Sequence, residues 1–267
     1  MAPPREFPIK LGSILFTMVE PHKGHEVEYN RWYERDHFYA GCMVGKWTFA
    51  GQRFVATKPY KDLRVPQSAT PITPDPSIGS YLALYWILKD HHDEWNRWGV
   101  DQVNWLHANG RMFPERDHIH TLLYDFDWSV AREDDWVSPE LALDHRYPGL
   151  VAVVGEANED SSRAAVDSWY RDEHFPAVLP GSKIGQVVCL SPLPLLSDAP
   201  GDVPRSEAAD RRFLHLYFLD TDPAEVWSER FAGHRDELEK SGLGSLVWAS
   251  PFIPTIPGTD TYADQLW

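Results

Sequence analysis

Two short phrases place the same reactive side chains twice in one chain. Residues 32–38 read WYERDHF and residues 169–175 read WYRDEHF. In each phrase a tyrosine stands four positions before a histidine, which puts both side chains on one face of a helix. An imidazole beside a phenol can act as a general acid or base. We therefore take Tyr33, His37 and His174 as candidate catalytic residues, with Tyr170 beside His174 as a candidate substrate contact.

Helical spacing also predicts the surroundings of each histidine. Asn30 lies one turn before Tyr33, and Asp167 lies one turn before Tyr170, so each half carries a polar–Tyr–His stripe. The carboxylates next to the histidines, Asp36 and Glu173, point elsewhere and do not orient the imidazoles. A repeated Trp-Tyr-x-x-x-His can also be a packing signature whose imidazole binds a backbone carbonyl, and this alternative stays open.

The phrases belong to a longer internal repeat. Each half reads strand, helix, strand, strand, helix, strand, which is the ferredoxin-like split βαβ order. One such unit leaves an apolar sheet face that must be buried, and two units can bury these faces against each other. We expect an α+β protein in which tandem βαββαβ units, residues 1–135 and 136–267, form one barrel. A linker around Trp136–His145 would join them.

A proline-rich loop follows the second strand of each half, at residues 58–79 and 191–210. Both loops are long and rich in residues that break helices and strands. We expect them to act as lids or cavity walls.

The segments EYNRWYERDHF and SWYRDEHFPAVLPG resemble the first helix of dimeric α+β barrel proteins, including EthD-like ones. That superfamily includes cofactor-free monooxygenases, polyketide cyclases, lactone isomerases, dehydratases and haem enzymes with fused repeats. The second copy keeps Pro176 and Gly181 of the pattern, whereas Tyr39 takes the proline position in the first copy. The first copy also adds Trp47 and Arg53 on its next strand, so we expect the chemistry there.

The aromatic content is high, with 12 Trp, 11 Tyr and 12 Phe. These rings can fill the core or line an apolar ligand cavity, and both interpretations stay open. The candidate catalytic residues are His37, Tyr33, Tyr39 and His174, and the candidate substrate-binding residues are Asn30, Trp47, Arg53, Trp86, Trp95, Trp98 and Tyr170.

These residues favour a cofactor-independent lyase, dehydratase, cyclase or isomerase. Such steps need only acid–base groups and positioning, and the substrate would be an apolar aromatic or polyketide-like small molecule. One alternative is a haem- or oxygen-dependent oxidoreductase in which His174 or His120 is the axial ligand. A non-catalytic small-molecule-binding protein is the other.

Composition and charge disfavour several kinds of partner and binding site. A formal net charge of −15 disfavours nucleic acid as a partner, and no apolar run is long enough to span a membrane. Two cysteines, Cys42 and Cys189, favour a reducing cytoplasm. His118 and His120 are expected to share one strand face, but spaced histidines without a Cys or carboxylate pattern are a weak metal signal, and we expect no metal. The chain is expected to be a monomer or a homodimer.

Overall fold

The computed structural model describes residues 7–134, 137–205 and 210–267. The predicted division between residues 135 and 136 therefore falls outside the described residues, as does Trp136 of the predicted linker, and that division stays a prediction. The strands are β1 (Leu11–Pro21), β2 (Thr48–Val55), β3 (Tyr81–Leu88), β4 (Arg116–Ala131), β5 (Gly149–Ala157), β6 (Ile184–Leu193), β7 (Arg212–Leu219) and β8 (Gly244–Pro254).

The helices lie between these strands in the predicted order. They are α1 (Glu26–Trp32), a first π-helix (Tyr33–Met43), α2 (Lys58–Lys61), α3 (His92–Ala108), a 3-10 turn (Pro139–Leu141), α4 (Arg163–Trp169), a second π-helix (Tyr170–His174), α5 (Phe175–Val178), α6 (Pro223–Arg230) and α7 (His234–Lys240). The last predicted helix is two helices, α6 and α7, separated by a turn that contains Gly233.

The eight strands close into one antiparallel barrel in the order β1-β3-β2-β8-β5-β7-β6-β4. Each half contributes four neighbouring strands in the same relative order, as expected for two ferredoxin-like units. Alternate side chains from all strands point inward and fill the barrel, among them Phe16, Trp86, Leu122, Leu150 and Trp248. The predicted burial of the two sheet faces against each other is confirmed.

Two seams join the halves, and they differ in length. Strands β4 and β6 pair from Leu123 to Ala131, whereas β2 and β8 pair only at Phe54 and Val55. The first proline-rich loop extends the short seam, because Val65 forms an isolated antiparallel bridge with Ala249. Closure removes the free strand edges that would otherwise invite aggregation.

Each Trp-Tyr-x-x-x-His phrase bridges an α-helix and a π-helix. A π-helix hydrogen-bonds from residue i to i+5, so it brings residues five apart onto one face. Trp32 accordingly stacks on His37 with ring centroids 4.6 Å apart, and Trp169 lies 4.9 Å from His174. The tryptophan is therefore the closest partner of each histidine, which the assumption of α-helical spacing missed.

No helix among the described residues is both long and apolar enough to cross a membrane.

Arg64 anchors the first proline-rich loop to the second half. The residue is 1% exposed, and its guanidinium donates to Ser250 Oγ at 2.9 Å and to the carbonyl oxygens of Pro76 and Gly79 at 2.8 and 2.7 Å. It also contacts the Ile78 carbonyl. One buried side chain thus satisfies the carbonyl groups of a loop that has no sheet partners there.

We expect Arg64→Ala to lower the free energy of unfolding by about 3 kcal/mol, because several buried acceptors lose their donor. Urea unfolding followed by circular dichroism measures the change. Arg35→Ala is the matched control, since Arg35 is exposed, and it should stay within about 0.5 kcal/mol of the parent. Equal stabilities for the two variants would contradict the anchoring role.

Candidate functional site

A cavity of about 100 Å³ lies between the sheet and the helices of the first half. Its lining is mainly apolar, with a few polar side chains pointing inward, as in many small-molecule sites. The sheet contributes Leu15, Thr17, Val19, Arg116, His118, Thr121 and Leu123, and the helices contribute Tyr33, His37, Gly41, Cys42, Trp95, Asn96, Gly99, Val100 and Val103.

The second proline-rich loop closes this cavity from the other half of the chain. Leu195, Ala199, Pro200 and Val203 border it. Asp198 of the same loop holds Arg97 of α3 with a nitrogen–oxygen distance of 2.8 Å. The expectation that this loop forms a cavity wall is therefore confirmed, and it walls the cavity of the opposite repeat.

His37 borders the cavity with a free ring nitrogen. Its Nδ1 is buried and has no hydrogen-bond partner among the described residues. The ring lies flat on Trp32 and meets the edge of Tyr33 with centroids 5.2 Å apart. Burial, with a smaller contribution from the charge of Arg116, lowers the pKa of His37 to about 3. The imidazole is therefore neutral at pH 7, with a lone pair available to accept a proton.

Arg116 places a buried positive charge beside this imidazole. It is 8% exposed, and it donates through Nη1 and Nη2 to Asp202 at 3.2 and 3.1 Å. Burial favours the neutral acid of Asp202, but the Coulombic effects of His118 in its protonated form and of Arg116 outweigh burial and leave the pKa of Asp202 lowered. The guanidinium has five N–H groups, more than Asp202 uses, so donors remain for a negative ligand.

His118 is oriented by the sheet on which it stands. Its Nδ1 is 3.0 Å from the Thr121 hydroxyl, which is itself 2.9 Å from the Thr17 hydroxyl. Burial and then Arg116 lower the pKa of His118 to about 4. A second neutral imidazole therefore borders the cavity.

The expectation that His118 and His120 share one strand face is wrong. The pairing between β1 and β4 shifts between Met18 and Val19, so Met18 faces His120 and Val19 faces His118. This bulge places an extra residue on β4 and turns the two histidines to opposite faces. His118 borders the cavity, whereas His120 lies inside the barrel with its Nε2 3.1 Å from the Tyr124 hydroxyl.

Of the predicted site residues in the first half, Tyr33, His37 and Trp95 border the cavity. The Tyr33 hydroxyl is 2.8 Å from that of Tyr85, and burial raises the pKa of Tyr33. Tyr33 therefore keeps its proton and positions the imidazole through edge contact. Tyr33 is less exposed than His37 and Tyr39, the other two candidate catalytic residues of the first half.

Asn30 and Arg53 lie outside the cavity and form a hydrogen bond with each other. Arg53 donates to Asn30 Oδ1 at 2.8 Å and pairs with Glu34 at 3.3 Å, while its guanidinium lies over the Tyr33 ring. Asn30 also donates to the carbonyl of Thr259. The expected polar stripe from Asn30 to His37 is not formed, because a buried guanidinium requires partners and takes the amide.

Four other predicted residues also lie outside the cavity. Tyr39 is 55% exposed, and it borders a separate open groove. Trp47 stacks on His91 with centroids 3.4 Å apart, and Trp98 packs on Trp95 at 6.2 Å. Trp86 lies inside the barrel, where its Nε1 donates to the carbonyl of Pro139. The aromatic content thus serves mainly to build the core.

In the second half the corresponding space is filled. His174 and Tyr170 belong to a packed group in which the Tyr170 hydroxyl is 2.9 Å from His234 Nε2. His215, which stands on β7 where the first half has Ala83 on β3, places its ring 4.5 Å from that of Tyr170. Only about 30 Å³ remains beside His174. Burial lowers the pKa of His174 to about 4 and that of His234 to about 3.

Sequence reasoning missed Arg116, His118, Asn96 and Asp202 as residues of this site. The phrase RDHIH at residues 116–120 was the available signal, but it gave no sign of the bulge. Asp202 could not be assigned, because it reaches Arg116 and His118 from a loop of the other repeat.

No protein-family model and no curated protein sequence matches this chain. Solved structures do match. An anthrone oxidase-like protein aligns over 92% of both chains with 9% identity and a TM-score of 0.55. A putative chlorite dismutase aligns over 97% of this chain and all of its own with 11% identity and a TM-score of 0.53. The chain has the fold of a duplicated ferredoxin-like α+β barrel. At such identities the likeness of this barrel to its neighbours shows the fold alone.

The haem alternative that the sequence left open can be tested by fit. A DypB variant from Rhodococcus jostii, in complex with heme, aligns over 95% of this chain and 94% of its own with 11% identity and a TM-score of 0.44, which carries no argument about this chain. An axial histidine must border a cavity of porphyrin size. Pockets for drug-sized ligands have volumes of about 300–1,000 Å³, but the space beside His174 is only about 30 Å³. His120 is enclosed in the barrel, with its Nε2 next to the Tyr124 hydroxyl. Neither histidine fits the axial role.

Gly41 leaves room for the His37 ring. A Cβ atom at position 41 would lie 2.8 Å from Cε1 and 3.0 Å from Nδ1 of His37, closer than side chains normally approach. The ring is held against Trp32, so it cannot move away freely. At Gly99, by contrast, a Cβ would meet Trp95 at an ordinary 3.7 Å.

We expect Gly41→Ala to displace the His37 ring and to destabilise the protein, although alanine is the better helix former. Gly99→Ala, the matched control in helix α3, should stabilise it by about 0.5–1 kcal/mol. Urea unfolding gives the stabilities, and nitrogen-15 NMR of the imidazoles reports the position of the ring. Equal gains in stability, with unchanged His37 signals, would show that Gly41 does not shape the site.

Proposed function

We propose that this protein is a cofactor-independent enzyme that removes a proton from a small apolar aromatic molecule held in the first-half cavity. The observation that carries the proposal is the buried, unpartnered Nδ1 of His37 at the wall of a cavity that also contains Arg116. Among the described residues His37 Nδ1 is one of several buried polar atoms without a partner, but it borders this cavity, so a ligand there would satisfy it.

His37 would act as the base through Nδ1. Its low pKa makes it a weak base in the empty cavity, because burial disfavours the imidazolium. A substrate anion formed next to the ring would favour the charged form and raise that pKa during the reaction. Trp32 and Tyr33 hold the ring plane, so the lone pair keeps its direction.

Arg116 would stabilise the anion that proton removal creates. Its charge is buried, and electrostatic stabilisation is stronger in a site that excludes water. Asp202 fixes the guanidinium through two hydrogen bonds and also approaches His118 at 3.9 Å. The pair is preorganised, so little reorientation is required when negative charge appears on the substrate.

The size and lining of the cavity limit the substrate. About 100 Å³ bordered by Leu15, Val100, Val103 and Leu123 suits a compact molecule with one aromatic ring and few polar groups. After deprotonation, return of the proton to another atom gives an isomerase, and loss of a leaving group gives a lyase or dehydratase.

A second candidate is oxidation of the deprotonated substrate by molecular oxygen. The name of the anthrone oxidase-like neighbour favours it. A methylene between an aromatic ring and a carbonyl group would react with one O2 to give a second carbonyl group and one water. Proton removal by His37 would be the first step here too.

Deuterium exchange tests the proton-removal step without knowledge of the natural substrate. We expect the protein to speed exchange at the acidic methylene of 2-tetralone in D2O, and His37→Gln to lower this rate by about 10²–10⁴-fold. Mass spectrometry follows the exchange. His25→Gln is the matched control, because the His25 side chain at the start of α1 is 40% exposed, lies outside the cavity and pairs with Glu28.

Exchange that His37→Gln leaves unchanged would contradict the assignment. Saturable binding of 2-tetralone without any exchange would favour the non-catalytic binding protein. An oxygen electrode in the same assay separates the two candidate reactions, because only the oxidase consumes O2 when substrate is added.

A further inference from the structure

A compact group of metal-binding side chains lies in the second half, away from the cavity of His37. His174, His234 and Glu237 each offer a donor atom, and these atoms lie within 4.8 Å of one another. The two histidines are 8% and 2% exposed, whereas the Glu237 side chain is 51% exposed. The group therefore reaches from the protein interior to the surface.

The folding of the second half brings these donors together. His234 and Glu237 are three residues apart in α7, so they share one helix face. His174 ends the second π-helix, and its ring centroid lies 5.1 Å from that of His234. The Tyr170 hydroxyl holds His234 Nε2 at 2.9 Å, the kind of second partner that commonly orients a metal-bound imidazole.

The spacing matches the coordination of a small divalent ion. Two donors on a tetrahedral zinc are about 3.3–3.4 Å apart when the bonds are 2.0–2.1 Å long. His174 Nδ1 and Glu237 Oε2 are already 3.5 Å apart. This separation is too long for a good hydrogen bond and close to that of two ligands of one ion.

A second observation points to a ligand at the same place. The three residues border a cavity of about 30 Å³, enough for an ion or a water molecule. Tyr217 borders this cavity too, is 1% exposed, and has a hydroxyl without a partner among the described residues. A bound ion or its water would satisfy that hydroxyl.

The local charge is compatible with a cation. Arg230 also borders the cavity, but it pairs with Glu229 at 2.9 Å. Glu237 has no basic partner other than His174 among the described ion pairs. The carboxylate is therefore available to offset part of a 2+ charge.

We propose that His174, His234 and Glu237 bind one divalent transition-metal ion, with zinc as the best match. Two imidazoles, one carboxylate and an open position are a recurrent donor set for zinc and for non-haem iron. This site is separate from the His37 cavity. It departs from the sequence analysis, which expected no metal.

The test uses the full-length protein without an affinity tag, stripped with a chelator and titrated with zinc chloride against a chromogenic competitor. We expect one ion per chain. Glu237→Gln should weaken binding by at least about tenfold, since even outer partners of metal ligands are worth 10–100-fold. Glu239→Gln is the matched control, because it removes the same charge from α7 at a residue that pairs with Arg235.

Cobalt(II) provides a second readout. The parent protein should give the visible absorption of a low-coordinate cobalt site, and His174→Gln should change or abolish it. Glu237 is half exposed, so its variant should fold, which circular dichroism checks. Absence of one-equivalent binding by the parent would overturn the proposal, and so would equal weakening in Glu237→Gln and Glu239→Gln.

Discussion

Closure of two four-stranded sheets into one barrel is the constraint on which the other features depend. Each sheet has one apolar face that only the other sheet covers, so neither repeat has a complete core alone. Closure also brings each proline-rich loop next to the opposite repeat. The first loop is fixed to β8 through Arg64 and Ser250, and the second brings Asp202 to Arg116. The first-half cavity is therefore complete only in the closed barrel.

The two copies share one local arrangement but surround it with different residues. In both, an α-helix that passes into a π-helix places a tryptophan ring beside a histidine ring. In the first copy His37 faces an apolar space and keeps a free nitrogen. In the second copy His215 and His234 fill the space beside Tyr170. A small residue at position 83 and an imidazole at position 215 illustrate how a duplicated scaffold can acquire two different sites.

The architecture could be predicted from the sequence because it follows from the pattern of apolar residues and from the internal repeat. Strands β5 and β7 could be expected, because short and largely apolar runs between breakers favour strands. The barrel followed from the need to bury two apolar faces. Tyr33, His37 and Trp95 were predicted in the site because a repeated phrase and an aromatic helix are visible in the letters.

The rest of the site depends on departures from regular geometry. A π-helix replaces α-helical spacing and makes Trp32, rather than Asn30, the neighbour of His37. The bulge opposite Met18 and Val19 turns His118 away from His120. Such departures are set by tertiary packing, and local propensity does not encode them. Asp202 is separated from Arg116 by 86 residues, so only the closed fold brings them together.

Proton removal by His37 next to Arg116 requires the first-half cavity to favour the deprotonated form of a bound aromatic acid. The most direct measurement is a spectroscopic titration of 4-nitrophenol, whose neutral and anionic forms differ in colour, in the presence of excess protein. We expect saturable binding with the pKa of the bound phenol lowered, because the buried charge of Arg116 stabilises the anion and Nδ1 of His37 can accept the phenolic proton. A bound phenol whose pKa is raised, as in a purely apolar cavity, or no saturable binding, would contradict it.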